Sequence, residues 1–315
     1  MIKEIKNCRI CNSAKLKKIL NLGKQPPANS LHDNKKKIKK FPLKLLCCLE
    51  CETIQLSISL DPKLLFNNYF WVTGTSKTAI QHAKKFFKLT SNNLQKKSQI
   101  IEIASNDGTF LKPFLKKKFK VLGIDPAKNI ASYANSKGIK TIPNFFSYEL
   151  SNKIKKRYKN VSLIFARNVI PHVKNIHSIV KGISNLSNKK TTIAIEFHYS
   201  KDIINELQYD SIYHEHLFYF SIKTISNLFL KYKLFPFDVF SSPISGGSLV
   251  LLFSKEKKNK LKNLKHLEKI EKKQKINLFK KWKRFALKSE NHAKKFRDKV
   301  KIDYKKNGKL FGFGA

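Results

Sequence analysis

Between Gln99 and Phe197 the chain repeats one unit four times: a short apolar run, a polar turn, then a segment with helical spacing. The runs lie at 99–104, 119–124, 161–166 and 191–197, and they are rich in β-branched residues or Phe. They are apolar nearly throughout instead of alternating with polar residues. A strand that is apolar on both sides must be covered on both sides, and the intervening segments, such as 127–137 and 175–186, supply the covering helices. The pattern predicts a doubly wound α/β domain on a parallel sheet. Apolar runs near 216–220, 227–235 and 248–254 are expected to complete that sheet, and a helix is expected from Ser76 to about Leu89.

At 315 residues, with 41% hydrophobic content and 24 Phe, the chain can bury a real core, and its length suits about two domains. It contains no apolar run of 18 residues, and its first residues, MIKEIKNCRICNS, lack the apolar stretch of a signal peptide. A cytoplasmic location is expected. The formal net charge of +44 invites a nucleic-acid partner, but the kind of charge argues otherwise. Only five of the 65 basic residues are Arg (Arg9, Arg157, Arg167, Arg284, Arg297), and it is Arg that clamps phosphates and base edges bidentately. Lys spread over the whole length beside abundant Asn, Ile and Phe fits a coding bias towards A and T.

The cysteines fall at 8, 11, 47, 48 and 51. Cys8–Cys11 and Cys48–Cys51 make two C-x-x-C units, a spacing that predicts one zinc ion on four thiolates, with Cys47 left over as a small apolar residue. Short strands are expected at 43–47 and 53–58, with turn signals at Leu22-Gly23 and Pro26-Pro27-Ala28-Asn29 and a Lys run at 35–40. Residues 1–62 read as a zinc-binding domain, 63–254 as the α/β domain, and 255–315 as Lys-rich amphipathic helices, or a basic linker, ending in a new apolar segment.

Four segments carry chemistry. The first strand ends in Glu102-Ile103-Ala104-Ser105-Asn106-Asp107-Gly108-Thr109, a small-residue turn that lets a ligand approach the backbone; the second ends in Asp125, suited to bind a ribose. Both features also occur as a plain turn and a helix-capping Asp. Ala166-Arg167-Asn168-Val169-Ile170-Pro171-His172 closes the third strand, at the sheet end where ligands sit. Asp210-Ser211-Ile212-Tyr213-His214-Glu215-His216 sets titratable groups among apolar stretches, as a site, as satisfied core histidines, or as a His-x-His metal pair.

Taken in order, these motifs resemble the S-adenosylmethionine-dependent C-methyltransferases of nucleotide-linked 4-keto-deoxysugars. The resemblance runs through Cys8–Cys11, Leu22-Gly23, Pro27-Ala28-Asn29, Cys48–Cys51 with Gln55-Leu56, and Gly74-Thr75-Ser76 with His82. It continues through Ser105-Asn106-Asp107-Gly108-Thr109, Ala166-Arg167-Asn168-Val169, Tyr213-His214-Glu215-His216 and Gly246-Gly247-Ser248. It implies a Rossmann-like class I methyltransferase sheet that binds S-adenosylmethionine through Glu102, Ser105, Asn106, Asp107, Gly108, Asp125 and Asn168. It also implies a deoxysugar-biosynthesis role in which His216 is the base that removes a proton α to the keto group, with Tyr213 and Glu215 beside it. The partner implied is the nucleotide-linked sugar, with neither nucleic acid nor membrane expected.

The chain departs from that family at three places. Ala104 stands where Gly is usual, Glu52 stands where Gly follows the second knuckle while Asn12 follows the first, and the family's C-terminal Rossmann-like domain continues well past Lys309-Leu310-Phe311-Gly312-Phe313-Gly314-Ala315. The last departure gives the expectation of a truncated C-terminal domain with weak or absent turnover of the nucleotide sugar. Two other readings remain at this stage: an RNA or DNA methyltransferase with a zinc ribbon, and a non-catalytic remnant.

Overall fold

The computed structural model describes residues 4–28, 39–62, 65, 71–92 and 94–311. Expectations at Asn29, at residues 35–38 and at 312–315 lie outside the described residues.

The four apolar runs become β4 (Gln99–Ile103), β5 (Lys120–Ile124), β7 (Val161–Arg167) and β8 (Thr192–His198), all parallel. With β6 (Thr141–Ile142), β10 (Phe235–Ser242) and β11 (Ser248–Ser254) they form a seven-stranded sheet in the order β10-β11-β8-β7-β4-β5-β6, in which β11 runs antiparallel to its neighbours. Every residue of β4 is buried. Alternate residues feed two apolar layers: Ile100, Leu163, Phe165 and Ala194 meet Phe86, Phe110 and Phe114 on one face, while Ile101, Ile103, Ile164 and Ile195 point to the other. This two-sided burial is why the strands read as continuous apolar runs.

Helix α1 (Lys77–Ser91) starts at Ser76, whose side chain accepts from Ala79 N, and packs Phe86 4.9 Å from Phe165. The order continues with α2 (Lys112–Lys116), α3 (Lys128–Ser136), α4 (Tyr148–Arg157), α5 (Ile176–Leu186), α6 (Ser200–Asn205) and α7 (Ile222–Leu230). Strand order reverses between β4 and β7. The carboxyl ends of those strands therefore open a crevice, the usual ligand position in this architecture.

A second, four-stranded antiparallel sheet joins β1 (Leu16–Gln25), β2 (Phe41–Cys48), β3 (Ile54–Leu56) and β9 (Phe218–Tyr219). Strand β9 corrects one expectation. The run at 216–220 does not complete the parallel sheet; it pairs Ile54 with Tyr219 and Gln55 with Phe218. An apolar run shows that a strand is buried, not which sheet edge it will satisfy. The run at 227–235 is corrected too: its first part ends α7, which Ser221 and Thr224 open with a reciprocal cap, and only its last residue enters β10. Strand β1 occupies a stretch read only as turns.

The Lys-rich tail forms α8 (Lys262–Gln274) and α9 (Phe279–Asn307). Trp282, Phe285 and Ala286 anchor the start of α9 in the core, and Lys283 Nζ donates to the Ile19 carbonyl of β1. Its second half stands out, with Phe296 63% exposed. Lys309–Phe311 have no strand structure. Among the described residues no helix is long and apolar enough to cross a membrane.

Candidate active site and metal centre

The two C-x-x-C units converge. The sulfurs of Cys8, Cys11, Cys48 and Cys51 all lie within 4.8 Å of one another, with Cys8–Cys51 at 3.6 Å and Cys11–Cys48 at 3.5 Å. Tetrahedral zinc with Zn–S near 2.3 Å sets sulfurs about 3.8 Å apart, so the four thiols fit that ion. Each knuckle closes by the same turn, Asn12 N to Cys8 O and Glu52 N to Cys48 O, both at 2.9 Å. Asn12 and Glu52 take the left-handed conformation at φ +62° and +59°, so the Glu sits where glycine costs least. Cys47 points into the core, 1% exposed, and burial pushes its thiol up to about 12.

At the crevice, the turn after β4 is held under tension. Ala104 and Asn106 have φ of +55° and +48°. The Asn106 amide accepts from Thr73 N at 2.8 Å and donates to the Trp71 carbonyl at 3.0 Å, tying the turn to the segment before α1. Asp107 accepts from Thr109 N and Thr109 Oγ1. Gly74 passes so near that a Cβ there would stand 2.5 Å from Asp107 Oδ2. Gly123 in β5 similarly makes room for Ser105, whose buried Oγ has no hydrogen-bond partner among the described residues.

Asp125, at the end of β5, accepts from Asn106 N at 2.8 Å with Oδ2 and from Ala127 N at 2.9 Å with Oδ1. Burial raises its pKa, and the two N–H groups oppose that shift. Asp125, Asn106, Ala104 and Asn168 line one cavity of about 870 Å³, as do Tyr213, Glu215 and His216. Ile124, Pro126, Phe145 and Phe146 give that cavity an apolar wall beside Asp125, which suits a flat nucleoside base next to a ribose. Glu102, Ser105, Asp107 and Gly108 lie behind the wall, not in it. Glu102 is fully buried, meets Arg167 Nε at 3.2 Å, and is pushed up to about 8 by burial against the pull of that guanidinium. Its contact with the cavity is therefore indirect, through Arg167, which lines the cavity and covers the Phe110 ring at 3.1 Å.

In the same cavity, Tyr213 and His216 form a compact pair. His216 Nδ1 lies 3.1 Å from the Ser211 carbonyl, which can only accept, so Nδ1 carries the proton. Nε2 is then a free lone pair, and the Tyr213 hydroxyl donates to it at 2.9 Å. The rings of His172 and His198 stand 4.8 Å and 6.4 Å from that of His216. Burial and the neighbouring His172 hold His216 well below the usual imidazole range, and burial brings His172 down to about 4. The cluster is thus neutral at pH 7. His214 turns away to the Pro42 carbonyl at 3.2 Å, so His214 and His216 do not converge as a metal pair.

The structure also shows a network that the residue patterns did not single out. Glu196, at the end of β8, meets His82 Nε2 at 3.2 Å, Asn168 Nδ2 at 3.3 Å and Ser242 Oγ at 3.0 Å. Burial would raise its carboxyl, yet His82, Arg167 and Ser242 draw it below the ordinary value. Through it, α1 and β10 fix Asn168, which has φ +48°. The signal was present: Glu196, like Glu102, is a lone carboxylate in an otherwise apolar strand, which persists only when satisfied.

Against known families, residues 8–66 match a model described as "Putative zinc binding domain", and residues 77–234, half of the chain, match a model described as a methyltransferase domain. The chain belongs to the methyltransferase family. Its cofactors are S-adenosylmethionine, for the class I sheet, and zinc, for the four thiols. The chain is 30% identical over 256 residues to the C-methyltransferase NovU of Streptomyces niveus, an alignment that spans 80% of this methyltransferase and 61% of that relative's length. Among solved structures it is similar to the PH0226 protein of Pyrococcus horikoshii (11% identity, 62% of this chain and 98% of that one, TM-score 0.46). A second is a SAM-dependent methyltransferase of Archaeoglobus fulgidus (9% identity, 56% and 94%, TM-score 0.46).

Proposed function

We propose that this methyltransferase transfers a methyl group to a carbon next to the keto group of a nucleotide-linked 4-keto-deoxysugar. One observation carries the reading: a single cavity is lined by Asp125 and Asn106 and also by the hydrogen-bonded Tyr213–His216 pair. S-adenosylmethionine, when bound, supplies an electrophilic methyl group. Asp125 would hold its ribose with the lone pairs left over from Asn106 N and Ala127 N, the apolar wall its base, and Ala104, Asn106 and Asn168 the remainder.

A carbon attacks that methyl only after losing a proton. In the proposed step the carbon–hydrogen pair stays behind as an enolate, the proton passes to the Tyr213 oxygen, and the Tyr213 proton moves to His216 Nε2. His216 becomes the imidazolium, its Nδ1–H already held by Ser211 O. His216 is thus the base acting through Tyr213, and Glu215, 3% exposed, lines the same cavity. At pH 7 the buried imidazole is neutral, so its Nε2 lone pair is open to a proton. The 30% identity to NovU supports carbon methylation as the reaction type.

The test incubates the chain with methyl-labelled S-adenosylmethionine and either a nucleotide-linked 4-keto-deoxysugar or bulk RNA. Label carried into the sugar supports the proposal, and label carried into RNA alone overturns it.

A further inference from the structure

A second large cavity, of about 790 Å³, shares no lining residue with the first. It lies where α7, α8 and the start of β10 meet the second zinc knuckle. Its floor is apolar, built on Phe235 and the fully buried Ile276. Its rim is basic. The acidic groups around it are already committed: Glu52 to Lys223 Nζ at 2.6 Å, Glu268 to Lys260 Nζ at 2.6 Å, and Glu271 to the backbone N–H groups of Ile222 and Lys223 at the start of α7. Lys257, Lys265, Lys272 and Lys275 have no ion pair among the described residues. In addition, Ser226 on α7 lines the cavity while only 6% exposed, and its buried Oγ has no hydrogen-bond partner among the described residues.

We propose that this groove is a second ligand site, for an organic polyphosphate whose apolar portion rests on the Phe235–Ile276 floor while its phosphates reach the lysine rim. Four like charges around one mouth repel one another, and an anion there relieves that repulsion. Lysine ammonium groups suit phosphate oxygens as point charges without the fixed geometry that a carboxylate demands of Arg. The volume falls within the range of small-molecule sites. An apolar floor adds affinity for an organic phosphate over an inorganic one.

The test is calorimetry on the full zinc-loaded chain at about 0.15 M salt, where long-range charge effects are screened beyond ~8 Å. S-adenosylhomocysteine is added first to occupy the first cavity, and the probes are ADP and inorganic pyrophosphate. The expected result is one equivalent of ADP bound, with pyrophosphate weaker. The double variant Lys265→Ala/Lys272→Ala should bind ADP at least about tenfold more weakly, as loss of charged contacts predicts. The matched pair Lys294→Ala/Lys295→Ala on α9 removes the same charge elsewhere and should bind as the parent does. Absence of ADP binding, equal weakening in both double variants, pyrophosphate binding as tight as ADP, or competition by S-adenosylhomocysteine would each overturn the proposal.

Discussion

The Tyr213 hydroxyl stands 2.9 Å from His216 Nε2, while the Ser211 carbonyl fixes the other ring nitrogen as a donor. A single tautomer results, with its basic nitrogen facing a phenol at the wall of the cavity. Burial, which keeps His216 neutral, is also the first cause that lowers His172, His198 and His214.

That has a consequence for stability. A histidine held below its unfolded value near 6.5 favours the fold while neutral, so its contribution is full above pH 6.5 and is lost as pH falls towards about 4, the value reached by His172. The two enclosed imidazoles, His172 and His216, should each add up to about 1.4 kcal/mol per pH unit across that window. Urea unfolding at steps between pH 7 and pH 4 should show stability falling with pH, and His172→Asn should make the slope shallower. A slope unchanged by the variant would contradict the burial of His172.

Zinc should hold more than its own knuckles. Strand β3, which follows Cys51, pairs with β9, and His214 reaches the Pro42 carbonyl in β2, so the small sheet braces both sides of the Tyr213–His216 segment. Chelation should therefore speed amide exchange at 41–56 and at 213–219 together while β4 and β7 stay protected. Cys48→Ser should lose zinc, and Cys47→Ser should retain one equivalent in a metal assay. Zinc content falling with Cys47 and not with Cys48 would contradict the ligand set.

Two substitutions probe the strained turn from opposite sides. Gly74→Ala would drive a methyl into Asp107 Oδ2 and Thr109 Oγ1, and should destabilise the fold by about 1–3 kcal/mol, the usual range for overpacking. Ala104→Gly should stabilise it by up to about 1–2 kcal/mol, because the alanine Cβ is unfavourable at φ +55°. Thermal melts read both. A destabilised Ala104→Gly variant would show that the turn's shape relies on the methyl group and is not strained by it.

Much of this was legible in the chain itself. Continuous apolar runs marked β4, β5, β7 and β8 because burial on both faces removes the polar alternation, and two C-x-x-C units marked the four thiols because the metal fixes their spacing. Strand β9 was assigned to the wrong sheet because hydrophobicity encodes burial and not partnership. The Glu196 hub escaped because its partners, His82, Asn168 and Ser242, come from three distant segments that only the fold brings together. Glu102 was expected at the cofactor, and its backing of Arg167 could not be read from a motif.

Asp125 should carry much of the cofactor's affinity. Asp125→Ala should weaken S-adenosylhomocysteine binding by about 1.5–3 kcal/mol, the range for hydrogen bonds to a charged group. Calorimetry on the folded variant measures it, and unchanged affinity would remove Asp125 from the cofactor site.

The proposed chemistry is tested most directly by proton exchange without methyl transfer. With S-adenosylhomocysteine bound and a nucleotide-linked 4-keto-deoxysugar in deuterium oxide, the parent chain should wash deuterium into the position next to the keto group. His216→Ala and Tyr213→Phe should each slow that exchange by about 10²–10⁴-fold, the usual contribution of a positioned base, while binding S-adenosylhomocysteine as the parent does. Exchange at the parent rate in both variants, with cofactor binding intact, would contradict the assignment of the base to the Tyr213–His216 pair.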